Sequence, residues 1–308
     1  MHKFIFKRTL MLIPVLLGVI IVTFTLFYFT PGDPARIILG EQAPEQAVLD
    51  MREELGLNDP YIVRLADYIW GALRFDFGRS WRTRNLITEE IGERFVTTMQ
   101  LVGMGLIVAT IIGIPFGILS ATKQYSILDT IMQFIALVGV SIPNFWLAMM
   151  LALIFGVYLE WLPTFGWDGW QWWILPVITV ASNSIATLMR FTRSSMLEVI
   201  RSDYIRTARA KGLKESLVII KHALKNALMP VITILGLMFG GALGGAVLTE
   251  TIFSIPGLGR YLVTSINFRD GAVILTGTLF LAFSFSLANL IVDIMYAYID
   301  PRVRSQYK

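Results

Sequence analysis

Between Asp203 and Pro230 the chain sets basic side chains among small residues. Asp203-Tyr204-Ile205-Arg206-Thr207-Ala208-Arg209-Ala210-Lys211-Gly212 is followed by Lys214, Lys221, His222 and Lys225. The chemistry open to such a segment is recognition. Guanidinium and ammonium groups meet carboxylates, phosphates or lipid headgroups, and small residues let another backbone come close. Catalytic constellations are missing from the sequence. It contains no G-x-x-x-x-G-K-S/T phosphate loop, no H-E-x-x-H and no G-x-S-x-G, and the two histidines, His2 and His222, have no acid constellation beside them. Zero cysteines exclude disulfide and thiolate chemistry. The pattern excludes a chain that itself hydrolyses ATP or a peptide bond.

The elements that must carry this segment follow from composition. Of 308 residues 55% are hydrophobic and 16% charged, and the mean hydropathy is +0.65. That is too apolar for a soluble domain and fits an all-α polytopic membrane protein. A helix needs ~20 apolar residues to cross the hydrocarbon core, because its backbone groups must pair within the segment. Six stretches qualify, roughly 9–29, 97–120, 130–157, 174–197, 228–250 and 272–297. Lys3, Lys7 and Arg8 ahead of the first stretch resemble the start of a signal peptide. The run is too long for one, and Tyr28-Phe29-Thr30-Pro31 is no small-x-small cleavage site, so it reads as a retained span.

Lys and Arg in the short loops set the expected orientation. Lys3, Lys7 and Arg8, then Lys123, then eight basic residues from Arg193 to Lys225, then Arg302, Arg304 and Lys308 lie on one side; the other has none between Tyr158 and Trp173 and only Arg260 and Arg269 after span five. Both termini and the basic segment are expected in the cytoplasm. The eight arginines of region 30–94 fall outside, which the rule tolerates because segments longer than ~60 residues translocate largely regardless of charge. Within that region Glu45 to Leu55 and Tyr61 to Leu73 carry apolar residues at helical spacing, broken by Gly56-Leu57-Asn58-Asp59-Pro60. They read as two short helices capping the outer mouth.

Polar and small residues inside the spans are the candidates for a pathway or for packing. Ser141-Ile142-Pro143-Asn144 in span three reads as a kink that shapes the pathway, against the alternative of a helix broken at a ligand site. Gly240/Gly244 and Gly241/Gly245 in span five form a narrow face read as helix packing rather than a ligand cradle. Asn183 in span four joins these candidates. Charged residues are few: Arg190, Asp293 and Glu250 lie toward span ends, so a proton- or sodium-driven carrier with midplane ionisable groups is disfavoured. Asn289 and Asp293 share a face at i and i+4. Asp293 is expected either to pair with Arg190 or Arg193 or to bond only water and backbone.

In the basic segment, Ser202 or Asp203 can cap a helix over Tyr204 to Lys211, and Gly212 can end it with positive φ. Ala208 and Gly212 keep one face low, which invites a close partner. Leu217, Ile220, Leu224 and Leu228 form an expected apolar stripe on the next segment, with Lys214, Lys221 and Lys225 outside it. The competing reading is a basic helix held by anionic lipid, which accounts for the lysines but not for a small-residue helix ending at glycine.

The run Asp203 to Gly212, with His222-Ala223-Leu224-Lys225-Asn226-Ala227-Leu228-Met229-Pro230, resembles the "EAA" loop of ABC importer permeases in its peptide-permease form. Pro31-Gly32-Asp33-Pro34, Leu55-Gly56-Leu57-Asn58-Asp59-Pro60, Phe75-Asp76-Phe77-Gly78-Arg79-Ser80, Ile255-Pro256-Gly257-Leu258-Gly259 and Tyr298-Ile299-Asp300-Pro301-Arg302 extend the resemblance over nearly the whole chain. Together they resemble the B-type subunit of dipeptide, oligopeptide and glutathione importers. Arg206-Thr207-Ala208 stands where the general motif has Glu-Ala-Ala, as it does in the peptide branch. That leaves the docking role intact and the polar contacts open.

The resemblance implies the type I importer permease fold with six transmembrane helices and a helical extracytoplasmic insertion between the first two. Its parts would be the N-terminus with span one (1–30), the insertion (31–94) and the core (95–308), the last holding a coupling helix at about 203–221. Asp203, Tyr204, Arg206, Thr207, Ala208, Arg209, Ala210, Lys211 and Gly212 would dock a cytoplasmic ATPase. The implied partners are a C-type permease, two ATP-binding subunits that carry ATP and Mg, an extracytoplasmic substrate-binding protein and membrane lipid, with no nucleic acid. No cofactor or metal is expected on this chain. The implied place is the cytoplasmic membrane of a bacterium or archaeon. The implied cargo is di- or oligopeptide, with glutathione, nickel chelates, antimicrobial peptides and oligosaccharides as alternatives in similar permeases and an ion-driven carrier as a remote one.

Overall fold

The computed structural model describes residues 2–166 and 169–299, with side chains from 5 to 294. The tail arginines and lysine, Arg302, Arg304 and Lys308, and the last three residues of the Tyr298 to Arg302 motif lie outside the described residues. Among the described residues every regular element is a helix; an isolated antiparallel bridge joins Arg79 and Leu86.

In chain order the helices are α1 (His2–Phe29), α2 (Pro34–Leu39), α3 (Glu45–Glu54), α4 (Tyr61–Leu73), α5 (Ile87–Thr122), α6 (Ile127–Ser141) and α7 (Asn144–Tyr158). Then follow α8 (Gln171–Ile200), α9 (Asp203–Ala210), α10 (Glu215–Ile252), α11 (Leu258–Asn267) and α12 (Gly271–Ile299). Five are long and apolar enough to cross a membrane: α1, α5, α8, α10 and α12. A sixth crossing requires α6 and α7 together, and these meet at 98°.

That angle corrects the expected kink in span three. Pro143 has no N–H to give and disfavours helical backbone at Ile142. Ile142 is accordingly extended (φ −79, ψ 123), α6 stops at Ser141, and Pro143 caps a new helix starting at Asn144. The span is broken rather than bent. α7 then widens into a π-helix over Ala152–Tyr158.

The chain forms two compact units, one of residues 2–98 and 256–287, the other of 99–255 with the segment from 288 onward. Their boundaries fall within α5, within α12 and in the connection between α10 and α11. α5 runs unbroken from Ile87, well ahead of the apolar stretch that begins near 97.

The first unit carries the inserted helices. Asp33 caps α2 by accepting from Ala35 N at 3.1 Å, with Pro34 at the first helical position. α3 and α4 lie where their periodicity places them. Phe77, Ile87, Ile91, Leu258, Leu262 and Val273 form the buried core of this unit. Asp270, 2% exposed, ties its loops together: it caps α12 at Val273 N (3.3 Å) and accepts from Ser80 Oγ (2.5 Å) and Arg82 N (3.3 Å).

In the second unit α8 is the scaffold, with more of its apolar length buried than any of the other candidate spans. Gly105, Ala109, Gly113 and Gly117 of α5 recur every four residues and so form one ridge. At three of them an added Cβ would meet α8: Val180 Cγ1 at 2.7 Å, Ile185 O at 3.0 Å and Met189 O at 2.7 Å, from Gly105, Gly113 and Gly117 respectively. On another side Ala136 of α6 packs on Ala186 and Met189, and Ser195 Oγ donates to Ala227 O of α10 at 2.7 Å.

Candidate functional site: a basic docking segment and a polar cavity

α9 is an eight-residue helix joined to α10 by Lys211 to Lys214. Gly212 has φ +77 and an added Cβ there would meet nothing within 4 Å, so the position favours glycine for backbone reasons alone. Ser202 occupies the N-cap but does not cap with its side chain; its hydroxyl donates to Val199 O at 2.6 Å. The stretch 203–221 is thus two elements rather than one helix.

The low face of α9 does not await a partner, contrary to the sequence reading. Ala208 is 8% exposed and Ile205 fully buried. They pack with Ala121 of α5, Met196 of α8 and Val218, Ile219, Ala223 and Ala227 of α10. The apolar stripe of α10 is also corrected. Leu217 and Ile220 are exposed, whereas Val218, Ile219, Ala223 and Ala227 face inward. A π-helical turn over Val218–Ala223 explains the shift, since its wider winding moves the buried register off the 3.6-residue period.

What α9 and the two residues after it leave exposed is mostly polar: Asp203, Tyr204, Arg206, Thr207, Arg209 and Lys211, with the small Ala210 and Gly212 among them. Neighbouring groups hold several of these side chains in place. Arg209 grips Glu215 through two hydrogen bonds of 3.0 and 2.6 Å, and this carboxylate raises the guanidinium pKa. Tyr204 OH accepts from Asn226 Nδ2 at 2.8 Å. Arg206 lies 3.7 Å from Asp203 with both side chains open to solvent. The helix is therefore a rigid, mostly cationic knob bolted down by its own apolar side.

Above it, Arg193 of α8 holds Asp129 of α6 with Nε to Oδ1 and Nη2 to Oδ2, each 2.8 Å. Asp129 also accepts from Ser120 Oγ at 2.5 Å and Tyr125 N at 3.0 Å. Arg193 is thus committed to Asp129, not to Asp293 as the sequence reading allowed. Sequence spacing gave no hint of this pair, whose members are 64 positions apart. Asn289 and Asp293 sit half-buried on α12, and Val292 between them crowds the place of a Cβ at Gly236 of α10.

Gly236 therefore makes the close helix approach that the glycine pairs of span five were expected to make. Gly240 is half-buried, Gly241 and Gly244 are exposed, and an added Cβ at Gly241 or Gly244 meets nothing within 4 Å. Gly241 and Gly245 instead line a cavity of about 280 Å³ with Asn144, Val180, Asn183, Ser184, Thr187, Met238 and Ala242. A Cβ at Gly245 would lie 3.2 Å from Asn144 Nδ2. Asn144 Oδ1 is shielded from solvent and has no hydrogen-bond partner. Ser141 does not join this group; its hydroxyl turns back to Leu137 O at 2.8 Å. Pro143 contributes by setting the angle of α7, which brings Asn144 to the cavity.

The sequence matches two family models. Residues 113–305 match the binding-protein-dependent transport system inner membrane component, and residues 1–102 match the N-terminal part of such a membrane component. This chain belongs to that family. A dipeptide transport system permease protein, DppB, of Alkalihalophilus pseudofirmus is 48% identical, covering 99% of this chain and all of that one. Glutathione transport system permease proteins, GsiC, of Salmonella choleraesuis and Escherichia coli are 43% and 42% identical, covering 99% of each chain. The crystal structure of an amino acid ABC transporter with histidines aligns with a TM-score of 0.53 at 15% identity, over 70% of this chain and 94% of that one. The fold is that of a type I permease, and the chain is a multi-pass permease subunit of an ABC importer.

Proposed function

We propose that this permease subunit passes di- or oligopeptides from an external binding protein into the cytoplasm, driven by ATP hydrolysis on partner subunits. The observation that carries the reading is similarity along the whole length to permeases named for dipeptide and for glutathione, itself a tripeptide. The small cavity lined by carboxamides and hydroxyls supports it, since a peptide main chain needs both donors and acceptors. The exposed cationic face of α9, anchored from beneath, is the docking surface for an ATP-binding subunit.

The partners of this reading are a second, C-type permease, two ATP-binding subunits holding ATP and Mg, and the binding protein. This chain holds no cofactor of its own. The basic segment and both termini lie in the cytoplasm of a bacterial or archaeal cell, and α2 to α4 lie outside the cytoplasmic membrane. The test is to purify the complex with its binding protein and identify by mass spectrometry what the binding protein retains. A peptide supports the reading; a sugar or a metal chelate in its place sinks it.

A further inference from the structure

The cavity at Asn144 continues along α8. A second cavity of about 420 Å³ is lined by Val140, Thr187, Arg190, Phe191 and Ser194, so Thr187 is common to both. Asn183, Thr187, Arg190 and Ser194 follow one another at four, three and four residues and share one face of the helix. Arg190 is exposed on this face and forms no ion pair among the described residues. A guanidinium on a spanning helix that faces a cavity without an ion-pair partner is placed to take an anionic occupant, and its planar fork matches a carboxylate. At the other end the solvent-shielded Asn144 Oδ1 is an acceptor in want of a donor.

Resting on the reading of this chain as a peptide-importer subunit, we propose that the two cavities form one binding track for a short extended peptide. Main-chain N–H groups donate to Asn144 and Asn183, Thr187 lies beside the backbone, and the C-terminal carboxylate lies on Arg190. From Asn183 to Arg190 is seven residues, a rise of about 10 Å at ~1.5 Å per residue. An extended tripeptide spans about the same length. The glycine at 241, where an added Cβ would meet nothing within 4 Å, leaves room for varied side chains, so the track reads backbone and terminus and leaves side-chain choice to other components.

The test uses the assembled complex in proteoliposomes, with trialanine and trialanine amide as cargo, both first shown to bind the binding protein. Arg190→Gln should lower trialanine uptake about tenfold, as expected for loss of a charge-assisted contact, and change trialanine amide uptake less than about twofold, while Arg190→Lys keeps most trialanine uptake. Equal loss for both cargoes would mean that Arg190 serves a partner subunit or the fold, and overturns the track; so would undiminished trialanine uptake. If the unmodified complex carries neither cargo, the peptide reading itself fails and the track with it. A second measurement covers poor assembly of the arginine variant. Thr187→Cys gives the chain its only thiol, since the sequence has no cysteine. With ATP and binding protein present, trialanine should slow maleimide labelling of that thiol several-fold, and labelling at an unchanged rate overturns the proposal.

Discussion

In the Asp129–Arg193 pair a single carboxylate takes two guanidinium bonds, one hydroxyl and one backbone N–H. Removing one member of a fully buried pair strands the other and costs about 3–5 kcal/mol, and less where, as here, the arginine is partly open to solvent, whereas replacing both with apolar residues is often near neutral. Asp129→Ala should therefore lower the melting temperature of the detergent-purified protein markedly, and Asp129→Leu with Arg193→Met should recover much of it. A double variant as unstable as the single one would refute this account. Ala208 makes a second point at the same scale. A bulky side chain there meets Ile205, Val218 and Ala223 of the same chain, and overpacking costs about 1–3 kcal/mol. Ala208→Trp should destabilise the permease even without ATP-binding subunits, as thermal unfolding of the permease pair would show. Gly212→Asn should be accepted, because Asn tolerates positive φ, while Gly212→Val should not.

Among elements, α8 owes its place to the small ridge of α5. Gly117→Val puts a branched side chain where Met189 O and Thr192 Cβ stand 2.7 and 2.6 Å from a mere Cβ. Gly103→Ala, on the same helix, meets nothing within 4 Å. The first change should lower thermal stability and yield, at a cost on the order of 2 kcal/mol, and the second should leave both unchanged. Equal tolerance of the two would mean that the ridge is not a packing surface. On α10 the lysines Lys221 and Lys225 are exposed beyond the buried side of the π-turn. Lys221→Ala with Lys225→Ala should keep most uptake, whereas charge reversal at Arg206 of α9 and at Lys211 just after it should uncouple ATP hydrolysis from uptake. Measuring both activities on the same proteoliposomes separates these outcomes; essential lysines on α10 with a dispensable α9 face would make the segment a lipid anchor.

At the scale of the whole molecule, the proposed role fixes the energy source. With its partners in proteoliposomes, uptake of a radiolabelled peptide should stop when ATP is withheld and persist when ionophores collapse every ion gradient. The reverse dependence would place the chain among gradient-driven carriers. That expectation agrees with a sequence whose few charged residues within the apolar stretches, Arg190, Arg193, Glu250 and Asp293, lie toward span ends. One of them, Arg190, is the residue through which the proposed track would recognise a peptide's carboxylate.

Hydropathy by itself located α1, α5, α8, α10 and α12, because a span must be apolar for about twenty residues whatever its neighbours do. Local rules likewise determined Gly212 with its positive φ and an interruption of the helix at Pro143, read as a kink, since each depends on backbone sterics within a few residues. The 98° turn at that break, the union of Asn144 with Asn183 and Gly245, and the pairing of Asp129 with Arg193 were decided only in three dimensions. Each joins side chains from different helices, and no periodicity along one helix records which face of another it will meet. The face of α9 shows the limit most clearly. Small residues at i and i+4 state that something packs closely, but whether that is a partner or the chain's own α10 depends on which surface lies opposite, and here a π-turn six residues beyond Gly212 brings Val218 and Ile219 to fill the place.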